Sequence, residues 1–162
     1  MLFKKYFSPV YFYHLILFLS FSISLNNLIE FEYVNLFFYV FTHLLIIYLC
    51  FYYFNFFLYF VFFFYVIFFD IFLLNDIGPH LLVFIFLLVI ISFIKKFLLN
   101  LSSNKIFYVF IVLMFLVFLF EMIFADIILN YKFDYYKYIK LCIIGAIIIF
   151  PTMFLFSKID RL

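Results

Sequence analysis

Eight carboxylates, three imidazoles and two thiols are the groups in this 162-residue sequence with which acid–base, nucleophilic or metal chemistry could be done. Asp70, Glu121 and Asp126 fall inside otherwise apolar runs, where an ionisable side chain costs a few kcal/mol and is a candidate for function. A proton or ion relay would want carboxylates near the middle of a span. Each of these lies within a turn or two of a span's end, so anchoring at an interface or contact with another helix fits them better, and Lys132 can neutralise Asp126. His14, His43 and His80 belong to different segments, and no His and carboxylate share one helix at the i, i+3 or i+4 spacing of a zinc site. His43 follows Thr42 and is expected to make a polar contact between helices. Cys50 and Cys142 sit on separate helices towards opposite ends, which argues against a disulfide. Asn100-Leu101-Ser102 fits the N-glycosylation pattern, a pattern common by chance. There is no Gly-rich phosphate loop, no GxSxG and no Cys pair at metal spacing. Neither a catalytic residue nor a cofactor nor a metal site is expected.

The elements that must position these groups follow from composition. Hydrophobic residues are 73% and charged residues 11% of the chain, against roughly 45–50% and 25% in an ordinary globular protein. Too few polar side chains are present to cover a water-soluble fold, and a chain this apolar and aromatic is not disordered. A net charge of +2, scattered along the chain, points to no nucleic-acid partner. Phe 34 and Tyr 15 stand beside Gly 2 and Trp 0, a bias towards residues with A/T-rich codons that a lipid-facing protein tolerates.

The expected fold is all-α, a single integral-membrane domain of six transmembrane helices, with five as the fallback. A span needs about 20 apolar residues. The first runs from about Pro9 to Asn27, a retained helix and not a cleaved signal peptide. Tyr33 to Leu74 is too long for one span and suits two, bent near Cys50 to Asn55. Asn75, Asp76, Gly78 and Pro79 mark a turn, with Gly78 supplying backbone freedom and Pro79 opening the next helix. The fourth span covers Pro79 to about Ile94, the fifth about Ile106 to Leu129 and the sixth about Ile139 to Phe156, after an amphipathic stretch from Tyr131 to Lys140. Lys4, Lys5, Lys95, Lys96, Lys105, Lys158 and Arg161 then share one side, and Lys132, Lys137 and Lys140 the other. That asymmetry predicts both termini in the cytoplasm. Small residues for tight helix packing are few, and Gly145-Ala146 is the clearest site for it.

Three segments resemble the rod shape-determining protein MreD family of bacteria. The first is Phe-Phe-Asp70-Ile-Phe-Leu-Leu-Asn-Asp76-Ile-Gly78-Pro-His-Leu-Leu, an apolar helix ending in Asp followed by a Gly turn and a Leu-rich helix. The second is the basic end Lys95-Lys96, leading to the Phe-rich helix that contains Glu121. The third is a closing helix with the late Pro151 and a basic tail, Lys158-Ile-Asp-Arg161. The chain departs from the family at Val66 and Asp76, where a Gly and a Pro are usual. The resemblance implies a non-enzymatic scaffold of the cell-wall elongation complex in the bacterial inner membrane. Its partners would be MreC, the actin-like MreB filament and the wall-synthesis enzymes, with Asp70, Gly78, Glu121, Asp126 and Pro151 as structural or partner contacts. Two alternatives stay open: a small-molecule-binding subunit of a vitamin-type transporter, which needs a polar pocket among outer helix ends, and a mitochondrially encoded respiratory-chain subunit.

Overall fold

The computed structural model describes residues 9–24, 32–53, 56–74, 78–98, 103–130 and 132–160. Their regular structure is helical throughout. In chain order the helices are α1 (Pro9–Ser24), α2 (Glu32–Tyr52), α3 (Phe56–Leu74), α4 (Pro79–Leu98), α5 (Ser103–Leu129) and α6 (Tyr135–Ile159). The long apolar run does divide in two, α2 ending at Tyr52 and α3 starting at Phe56. Lys4, Lys5, Glu30, Asn55, Asp76 and Arg161 lie outside the described residues.

Helix ends follow local chemistry. Pro79 opens α4, where its missing N–H costs nothing. Asp134 caps α6, its side chain accepting from Tyr136 N at 2.9 Å and Lys137 N at 3.2 Å. That cap corrects the expected start at Ile139: the amphipathic stretch from Tyr135 onwards is the first turn and a half of the helix itself. Helix α4 likewise continues past Ile94, through Lys95 and Lys96, to Leu98. Beyond α5, Asn130 takes a left-handed φ of 55°, a conformation Asn tolerates and one that stops a helix.

Helix α2 is the axis of the bundle and packs against all five others. From Thr42 to Cys50 every residue is buried, as expected of a helix that is hydrophobic all round. Gly145 of α6 permits the close approach to α5, since a Cβ there would overlap the end of the Met114 side chain. Outside, large apolar side chains stand free: Phe93 is 79% exposed, Phe97 78% and Phe150 69%. Three helices, Glu32–Tyr52, Lys105–Leu129 and Tyr135–Ile159, are long and apolar enough to cross a membrane. That character is compatible with a membrane protein.

Candidate functional site: a buried histidine–carboxylate cluster

Four helices deliver ionisable groups to one place in this apolar interior. Asp70 comes from the last turns of α3, His80 from the first turn of α4, His43 from the middle of α2 and Glu121 from α5. All four are buried, with Asp70 completely so. His80 is the hub. Its Nδ1 lies 2.7 Å from Asp70 Oδ1 and its Nε2 lies 2.9 Å from Glu121 Oε1. The same Glu121 oxygen is 3.0 Å from His43 Nε2, so one carboxylate bridges two imidazoles. Tyr39, one turn before His43 on α2, places its hydroxyl 3.1 Å from His80 Nε2 and its carbonyl oxygen 2.8 Å from His43 Nδ1.

Burying charge is tolerable only when it is paired and hydrogen-bonded. Two carboxylates facing two imidazoles meet that condition. Asp70 meets it most fully, because it also accepts from the backbone N–H groups of Gly78 (3.0 Å), His80 (3.0 Å) and Leu81 (3.1 Å). It is thereby the cap of α4, reaching across the turn from the helix before. Those N–H groups are among the orphan donors that every helix start must satisfy.

The sequence candidates separate clearly. Asp70, Gly78 and Glu121 belong to this cluster or its turn. Gly78 is not there for backbone freedom, because no glycine has a positive φ. Its close neighbour is Ile128 near the end of α5, whose Cδ1 a Cβ would meet at 3.3 Å, a contact that asks that side chain to give by a few tenths of an ångström. Asp126 is exposed, and among the described residues it forms no ion pair with Lys132. Pro151 lies exposed within α6, beside Thr152, whose hydroxyl donates to the carbonyls of Ile148 and Ile149 at 2.9 and 3.0 Å. Cys50 and Cys142 are free thiols.

Spacing along the chain did not reveal the meeting of His43 and His80 at Glu121. The partners are 78 residues apart for His43 and Glu121, and each comes from a different helix. The available signal was their rarity, since imidazoles and carboxylates inside apolar spans must find one another or water.

A second polar knot sits at the opposite end of the bundle and was not anticipated. Asp160, the C-cap of α6, accepts from the hydroxyls of Tyr13 (2.7 Å), Tyr48 and Tyr53. Tyr13 also donates to the Phe156 carbonyl at 3.1 Å. Burial, and then the Asp160 carboxylate, pushes the Tyr53 phenol above its ordinary range. Near the first cluster the surface opens into two clefts. One of about 520 Å3 is bordered by Glu32, Tyr39, His80 and Lys140, and one of about 410 Å3 by Tyr39, His80, Glu121 and Lys137. Lys140 and Glu32 pair across the first at 3.0 Å.

Comparison with known proteins finds no matching family model, no similar curated protein and no matching solved structure.

Proposed function

We propose that the chain is a six-span protein of the bacterial inner membrane with both termini in the cytoplasm. Its function is association and not catalysis: it is a scaffold subunit of the cell-wall elongation complex, similar to MreD. The observation that carries this reading is the convergence of two of the segments on which the resemblance rests. Asp70 with its Gly78 turn, and the helix containing Glu121, meet through His80. A polar core that locks four helices leaves the exposed aromatic flanks of the bundle, including Phe93, Phe97 and Phe150, to face lipid or partner helices. Partners of the kind implied are a single-span MreC-like protein, multi-span wall-synthesis enzymes and, through these, the MreB filament.

The test is depletion combined with co-purification. Depleted cells should round up, and the tagged protein should recover elongation-complex members from detergent extracts. Unchanged cell shape together with recovery of none of them would reject the reading.

The clefts of about 520 and 410 Å3 favour a second reading, the binding of a small molecule. They fall in the size range of ligand pockets and carry polar groups on their walls. Copurification of a small organic compound, lost on Tyr39→Ala, would favour this reading over the scaffold.

A further inference from the structure

Both imidazoles of the buried cluster are turned the same way. In each, Nδ1 is engaged by an acceptor outside the cluster's centre, Asp70 Oδ1 for His80 at 2.7 Å and the Tyr39 carbonyl for His43 at 2.8 Å. In each, Nε2 is aimed at Glu121. A neutral imidazole that donates from Nδ1 presents a bare lone pair at Nε2. Histidines that ligate metals are held in this manner almost without exception, by a carboxylate or a backbone carbonyl on the other nitrogen. The donor atoms of His43, His80 and Glu121 all lie within 4.8 Å of one another, and a modest adjustment of the side chains brings them to the roughly 3.3–3.6 Å donor separation of a tetrahedral ion with bonds of about 2.0–2.2 Å.

Charge and space agree with this. Asp70 and Glu121 bring two negative charges into an apolar interior, and one divalent cation cancels them. A cavity of about 30 Å3 borders His43, His80 and Glu121 on their apolar side, room for one water as a further ligand. The cleft of about 410 Å3 reaches His80 and Glu121 from the other side and provides an entry path.

We propose that His43, His80 and Glu121 form a binding site for a divalent transition-metal ion, zinc in the first instance, oriented by Asp70 and the Tyr39 carbonyl. Two imidazoles and one carboxylate suit zinc, whereas magnesium and calcium prefer oxygen donors throughout. The ion would fasten α2, α4 and α5 together. This inference stands apart from the scaffold reading, and its test does not involve cell shape.

The full chain, purified in detergent and stripped with a chelator, is incubated with zinc chloride or magnesium chloride, desalted and assayed by elemental mass spectrometry. A single zinc per chain is expected, with no magnesium retained and a higher melting temperature in zinc. His43→Gln, His80→Gln and Glu121→Gln each lose the zinc, and Asp70→Asn binds it about 10–100-fold more weakly. Because a ligand variant can fail to fold, the wild-type chain carries an independent readout. Cobalt(II) bound there should give the visible absorption of a four-coordinate site, and zinc should bleach it. The proposal is overturned if the folded wild-type chain retains only background zinc and gives no cobalt spectrum, leaving the cluster a purely ion-paired one. It is equally overturned if a folded His43→Gln/His80→Gln chain holds as much zinc as the wild type.

Discussion

Replacing Asp70 by Ala removes the acceptor for three backbone N–H groups and one imidazole in a single step. The Gly78 N–H lies in a half-exposed turn and can find water. The N–H of His80 belongs to a buried residue and that of Leu81 to a half-buried one, and each left unsatisfied costs about 1–3 kcal/mol. His80 keeps Glu121 but loses its partner at Nδ1. Breaking a buried charge pair from one side costs about 3–5 kcal/mol, and the two unsatisfied N–H groups sum to about 2–6 kcal/mol, which brackets it. For a chain of this size that corresponds to a fall in melting temperature on the order of 10 °C. Asp70→Asn retains one acceptor oxygen but turns an NH2 towards existing donors, so about half that loss is expected. Thermal unfolding in a mild detergent, followed by circular dichroism, measures both. The reasoning further requires coupling: Asp70→Ala/His80→Ala should be less damaging than the sum of the single changes, by about 0.5–3 kcal/mol. A melting temperature for Asp70→Ala within about 2 °C of wild type, or strict additivity with His80→Ala, would refute it.

Three further outcomes are expected. Gly145→Ala pushes aside only the flexible end of the Met114 side chain, and the helix propensity of Ala offsets that shift, so a change of less than about 1 kcal/mol is expected in the same unfolding assay; a loss above about 3 kcal/mol would show that Met114 cannot give way. Tyr53 is held protonated in the folded chain above its unfolded range, so its contribution to stability is complete below about pH 10 and is lost as pH rises beyond that. Tyr53→Phe should therefore lose less stability than wild type across that alkaline window, and parallel pH curves for the two chains would count against the Asp160 contact. Reporter fusions after Asp76 and Asp134 should read as external and one after Ser103 as cytoplasmic, and a cytoplasmic reading at Asp76 would sink the six-span arrangement.

What could be read from the sequence depended on how far apart the cooperating residues lie. The turn from Asp70 to Leu81 was legible because acid, Gly and Pro fall within a dozen positions and each has a local role. The break of the long apolar run near Tyr53 followed from length alone. Gly78 reads locally as a turn glycine, whereas its close neighbour Ile128 arrives from a helix 50 positions further on. Tyr and Lys at the first turn of α6 read as an amphipathic stretch ahead of the helix, and only the cap at Asp134 shows where it begins. The histidine cluster and the tyrosines around Asp160 depend on helix rotation and packing order, and no spacing rule within one helix encodes either.

The contact between Tyr13 and Asp160 spans 147 residues, and this sets a timetable for assembly. At roughly 5–20 residues per second, a ribosome needs about 7–30 s to make the second residue after the first. Once α2 has been made, the hydroxyls of Tyr13, Tyr48 and Tyr53 still have no Asp160 to donate to. The bundle can close its first helix to its last only when Asp160 has been made, so the final turn of α6 acts as the clasp that ends the waiting. Changes at Asp160 should therefore be felt most during biogenesis, as early turnover of newly made chains, and less in molecules that have already closed.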